Sequence, residues 1–146
     1  MPRLRFVMPL AILPMAAALA ASHSRSPHST TRTVWDSVYT MNQAARGETA
    51  YARSCARCHG ASLSGGDQSP PLSGGAFLGN WNGTPLSDLQ TRILTTMPSD
   101  SIGIYKRELV TDVIAYLLKS NGFPAGAAEL SPLPDSLKDI TLRTSR

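Results

Sequence analysis

Cys55, Cys58 and His59 stand in the order C-x-x-C-H, two thiols and an imidazole on one short stretch of chain. On a helical turn, positions three and four apart share a face. Both thiols and the ring can therefore point the same way. Cys55 and Cys58 can reach the two vinyl groups along one edge of a porphyrin, and His59 can offer a ring nitrogen to the iron as its proximal ligand. This is the attachment pattern of a covalently bound c-type haem. Other uses of the same residues need companions that are missing. A redox C-x-x-C belongs with a βαβ context, of which there is no sign. A closed zinc site needs four ligands, yet these are the only cysteines, and the other histidines, His23 and His28, lie in a Ser/Thr-rich N-terminal stretch. A disulfide here would close a two-residue loop of little structural use.

A haem iron in a closed site takes a second axial ligand. Met1, Met8 and Met15 lie in the first twenty residues and Met41 precedes the motif, so Met97, stiffened by Pro98, is the one methionine that follows it. A methionine is usually core filler, but its place here, after a helical stretch and before a proline, makes it the distal ligand. The expected metal ligands are thus His59 and Met97. A thioether is soft and neutral, favours Fe(II) and raises the potential. It also fills the position that oxygen or peroxide chemistry would need, which argues for electron transfer over catalysis. A haem enzyme or gas sensor with an open sixth site is the rival reading.

These residues need helices to position them. Gln43–Ser54 reads as a helix, rich in alanine and running into the motif. Residues 60–79 read as loop, with Gly65-Gly66, Pro70-Pro71 and Gly74-Gly75, of a length that makes sense if it wraps a cofactor. Pro85–Thr96 reads as a second helix, with Thr84 as N-cap, Pro85 at the first position and Leu86, Leu89 and Ile93 on its apolar face. Lys106–Asn121 reads as a third, on the stripe Leu109, Val113, Tyr116 and Leu117, stopped by Gly122 and Pro124. The fold class is therefore all-α: three to four short helices wrapped around one haem. So few helices bury little by themselves, and a buried macrocycle supplies much of the missing apolar volume.

The ends bound the rest. Arg3 and Arg5 precede an apolar stretch, Phe6–Ala21, that is broken by Pro9 and Pro14 and carries the small-x-small site Ala18-Leu19-Ala20. Residues 1–20 are expected to be a secretory signal peptide. Pro-interrupted, the stretch is a poor membrane span, and stable membrane insertion is not expected after cleavage; an uncleaved N-terminal anchor is the alternative. Bacterial covalent haem attachment takes place outside the cytoplasm, so both features point to the periplasm. Residues 21–33 read as a disordered linker, 34–130 as the haem domain and 131–146 as a C-terminal tail. Removing Arg3 and Arg5 leaves twelve basic against ten acidic residues. With two haem propionates the protein is near neutral, and no basic run suggests nucleic acid.

Between Ala45 and Gly122 the chain resembles the class I, single-haem cytochromes c. The likeness rests on Gly47 and Tyr51 leading into Cys55–His59, on Pro70-Pro71-Leu72, on Thr96-Met97-Pro98 and on Tyr116 in the last helix. A narrower likeness runs from Trp35 to Leu130, through Val34-Trp35-Asp36, Gln43-Ala44-Ala45-Arg46-Gly47 and Asn121-Gly122-Phe123-Pro124-Ala125-Gly126. It is similar to the cytochromes that accompany pyrroloquinoline-quinone (PQQ)-dependent alcohol dehydrogenases, though Ile102-Gly103 stands where those often show Pro-Gly. The resemblance implies a small cytochrome c fold and a haem that cycles between Fe(III) and Fe(II). It implies redox partner proteins, such as a PQQ-dependent dehydrogenase as donor and a terminal oxidase or another cytochrome as acceptor. The alternative is a cytochrome subunit bound tightly to a quinoprotein dehydrogenase. It further implies that a proline carbonyl at Pro70 or Pro71 accepts from His59, that Gly47 meets Tyr116 where the first and last helices cross, and that the Trp81 indole donates to a propionate. For Trp81, plain burial is equally open; Arg92 could pair a propionate, with a solvated charge the preferred reading. Leu72, Phe77, Leu94 and Ile104 are candidate haem-wall residues, and Arg57 is expected to be an exposed spacer.

Overall fold

The computed structural model describes residues 32–67 and 69–146. The expected signal peptide, residues 1–20, lies outside the described residues, as does the linker up to residue 31. The frame is a pair of crossing helices, α1 (Met41–Ser54) and α5 (Arg107–Ser120). Thr40 caps α1, its side chain accepting from the Gln43 amide at 3.1 Å. Gln43, Ala44, Gly47 and Tyr51 fall on one buried face of α1. They meet a broad apolar stripe on α5 formed by Val110, Val113, Ile114, Leu117 and Leu118. Gly47 sits at the crossing: a Cβ there would overlap the Asp112 carbonyl and lie 3.0 Å from Tyr116 Cβ. Only glycine lets two backbones come this close.

Beside the crossing, Arg46 grips Asp112 at 2.9 Å and Glu129 at 2.8 Å. Its hydrogen bond holds the Glu129 carboxyl below the usual carboxylate range. Gln43, buried, bonds both backbone groups of Leu130: its Nε2 donates to the carbonyl at 2.9 Å and its Oε1 accepts from the amide at 2.7 Å. Helix α4 (Leu86–Thr96) packs on α5 through Leu86, Leu89 and Gln90. The fully buried Gln90 amide donates to Thr111 Oγ1 and to the Pro132 carbonyl, so its polarity is satisfied.

Three expectations change. Residues 60–79 are not all loop, because Gly74–Trp81 forms a helix, α3. Its Gly-Gly start reads as a breaker, but the Asn121 side chain, far along the chain, accepts from the Gly74 amide at 3.0 Å and caps it. Phe77 then anchors it in the core. Thr84 does not cap α4. Pro85 occupies that position, and the Thr84 hydroxyl donates to the Trp81 carbonyl at 2.8 Å instead.

The third change concerns the ends. Residues 131–146 are no appended tail: Leu137, Ile140 and Leu142 are buried in the same core. They are carried by a single helical turn, α6 (Pro134–Leu137), and by strand β2 (Ile140–Thr141). Strand β2 pairs in parallel with β1 (Arg32–Thr33), which belongs to the expected linker. Leu133, just before α6, is exposed. Trp35 Nε1 donates to the Arg143 carbonyl at 3.0 Å, and Trp35 packs edge-on against Phe123, fastening the two ends together.

Candidate haem site

The motif follows α1 directly. The Cys55 amide closes the last turn of α1 on Tyr51, and one further helical turn, α2 (Ala56–His59), carries the rest. The amides of Cys58 and His59 both donate to the Cys55 carbonyl, at 3.1 and 3.0 Å. That turn is the arrangement the spacing required. Tyr51 braces it from below, its hydroxyl donating to the Gly60 carbonyl at 2.6 Å. Its ring packs on Tyr116 of α5 with centroids 5.4 Å apart. Burial, then the Cys55 thiol, push the Tyr51 hydroxyl up to about 12.

His59 is buried, and its Nδ1 donates to the Pro70 carbonyl at 2.9 Å. Of the two prolines, the structure uses Pro70; Pro71 is half-buried beside it. That bond fixes the ring and its tautomer, leaving Nε2 free to serve as a ligand. The loop returns to His59 because Gly65, at φ +78°, donates its amide to the His59 carbonyl at 2.9 Å. A Cβ on Gly65 would stand 2.9 Å from the Pro70 carbonyl carbon and 2.8 Å from the Pro71 nitrogen. From the other side, Asn121 Nδ2 donates to the Leu72 carbonyl at 3.1 Å. Gly65 and Asn121 were invisible as site residues in the sequence, where each reads as local punctuation.

Cys55 is half-buried and Cys58 exposed. Burial, reinforced by Cys58, pushes the Cys55 thiol up to about 11. A redox-active dithiol needs a thiolate favoured by its surroundings, and Cys55 is moved the other way. Among the described residues no group of three or more His, Cys, Asp or Glu side chains could hold a metal, so a closed zinc site finds no ligand set here.

Beside the motif lies an open cavity of about 530 Å³ lined by Ile104, Tyr105, Lys106, Glu108 and Leu109. A second, of about 410 Å³, shares Tyr105, Lys106 and Glu108 and adds Leu94, Gly103 and Arg107. Such volumes suit a cofactor, for which sites run from about 300 to 1,000 Å³. Tyr105 connects this space to the motif, its hydroxyl donating to the Ser54 carbonyl at 3.3 Å. Met97 is half-buried directly after α4, three residues beyond Leu94. The segment behind it reaches the motif through an ion pair, Arg57 Nη2 to Asp100 Oδ2 at 2.6 Å. Cys55, Cys58, His59 and Met97 do not themselves line the cavities. Leu72 is half-buried, Phe77 buried, and Ile104 62% exposed on the cavity wall. Trp81 is half-buried at the end of α3, and Arg92 is exposed.

Residues 42–117, from the start of α1 to the last turns of α5, match the family model described as "Cytochrome C oxidase, cbb3-type, subunit III". The chain belongs to that family. As a cytochrome c domain it carries covalently bound haem c with iron and transfers electrons. The fold is similar to a chain in the crystal structure of the sulfane dehydrogenase SoxCD from Paracoccus pantotrophus. The two are 22% identical with a TM-score of 0.52, over 85% of this chain and 68% of that one. No curated protein matches the chain. This cytochrome c domain is mostly helical, and among the described residues no helix is long and apolar enough to cross a membrane. The donor set fits haem c: two thiols three apart, an imidazole held by a carbonyl on its far nitrogen, and an adjoining apolar space.

Proposed function

We propose that this chain is an exported, periplasmic electron carrier in which Cys55 and Cys58 bear the haem and His59 and Met97 are its axial ligands. The observation that carries this reading is the buried His59 ring, clamped by Pro70 on the motif turn while the Met97 segment is tied back to that turn. Bound haem supplies a one-electron Fe(III)/Fe(II) couple of raised potential. The chain's own part is to hold. The Pro70 carbonyl keeps the His59 ring from turning and raises its basicity. Tyr51 and Asn121 brace the turn and the Pro-Pro loop from either side. Pro70, Pro71, Leu72 and Trp81 border the group, and Leu94 and Tyr105 line the adjoining space. Electrons pass between a donor dehydrogenase, such as a PQQ-dependent alcohol dehydrogenase, and a respiratory acceptor.

The test is Met97→Ala. The ferric wild type should show the weak long-wavelength band of iron–thioether ligation and should not bind carbon monoxide when reduced. The variant should lose the band, bind carbon monoxide and fall in potential. An unchanged ferric spectrum would remove Met97 from the iron. A second reading, a cytochrome subunit held permanently by a dehydrogenase, draws on the exposed side chains of Ile102 and Leu133 and on the similar fold within a dehydrogenase. Purification of the natively expressed protein separates the two, because the subunit would come out with its large partner and the carrier alone.

A further inference from the structure

We propose that Arg57–Asp100 and Tyr105–Ser54 form a two-point strap that sets how readily Met97 leaves the iron. The inference rests on the axial-ligand reading above. Residues 97–106 join α4 to α5, and the stretch directly behind Met97 and Pro98 lies on the surface: Ser99 to Ile102 are all exposed and line neither cavity. Packing therefore does little to hold the segment that follows Met97, and within it the Ser101 amide bonds the Pro98 carbonyl at 3.0 Å. What ties it down reaches across to the motif. Asp100 accepts from Arg57 at 2.6 Å, and the Tyr105 hydroxyl donates to the Ser54 carbonyl at 3.3 Å. Arg57 and Ser54 each stand immediately before one of the two cysteines. The tethers therefore grip both ends of the edge through which the haem is attached.

Arg57 occupies one of the two spacer positions of C-x-x-C-H, so attachment itself does not call for it. Its partner across the fold assigns its role, that of a positioning residue acting through Asp100 on the Met97 segment. Loops of few buried contacts open locally at small cost, and a neutral thioether is a ligand that such opening releases. The ion pair is exposed, so it contributes modestly and is screened by salt. The tyrosine contact is half-buried and neutral, so salt should leave it alone.

The experiment is displacement of Met97 from the ferric holoprotein by excess imidazole, followed by stopped flow at low and high salt. At low salt, Asp100→Asn and Arg57→Gln should each react about two- to fivefold faster than wild type, the span an exposed ion pair commands. At high salt the wild type should rise to meet them. The double variant should add nothing, and the exchange Arg57→Asp with Asp100→Arg should restore the slow rate. Tyr105→Phe should be faster at both salts. Should Asp100→Asn react at the wild-type rate at low salt, with the thioether band intact, the strap is refuted. If the wild type itself lacks that band and Met97→Ala leaves the spectrum unchanged, the ligand assignment fails first.

Discussion

At the scale of single residues, the chemistry turns on what stands behind His59. In the proposed axial role, its Nδ1 bond to the Pro70 carbonyl makes the ring a more basic ligand, which stabilises Fe(III). Gly65 makes that bond possible by taking a left-handed conformation pressed against the Pro70–Pro71 peptide. Gly65→Ala should cost about 1–3 kcal/mol in backbone strain and push the Pro70 carbonyl away from the ring. The potential should then rise while the protein stays folded, a pairing that voltammetry and a thermal melt of the holoprotein would read together. A melt shift with no change in potential would mean that His59 keeps its bond. The motif turn and its imidazole were legible in the sequence because their spacing is local. The choice of Pro70 over Pro71 was not, since both carbonyls are equivalent in a string of letters. What separates them is the path of the loop through Gly65.

At the scale of elements, α1, α4 and α5 could be read from apolar periodicity to within two residues at their ends, because each buries one face. Helix α3 could not. Gly74-Gly75 is a poor helix start in isolation, and its cap comes from Asn121 at the end of α5, a contact that local pattern does not encode. The same holds for Thr84, a good cap by type that spends its hydroxyl on Trp81. The crossing of α1 and α5 was expected through Gly47 and Tyr116, and the atom that meets Gly47 most closely is the Asp112 carbonyl. Backbone cannot rotate aside as a side chain can. Gly47→Val should therefore destabilise the holoprotein by at least about 1–3 kcal/mol through overpacking. A melting temperature equal to that of wild type would mean that the helices can slide apart freely.

At the scale of the whole molecule, the core is completed by its last residues. Stopping the chain after Leu130 removes Leu137, Ile140 and Leu142, all buried, together with the partner of β1. Each such side chain is worth about 1.5–3 kcal/mol when fully buried, against a total of about 5–15 kcal/mol for a domain. The truncated holoprotein should melt far below the full one or fail to fold, and a melt within a few degrees of wild type would show that these residues cover the core without supporting it. The pairing of β1 with β2 also orders events in time. A chain is made from its N-terminus, so Arg32–Thr33 is among the first described residues to leave the ribosome and Ile140–Thr141 among the last. Cys55, Cys58 and His59 all precede that strand in the chain. Until Ile140–Thr141 arrives, Arg32–Thr33 has no strand to pair with and the core lacks Leu137, Ile140 and Leu142, so the two ends of the chain meet only when its last residues are in place.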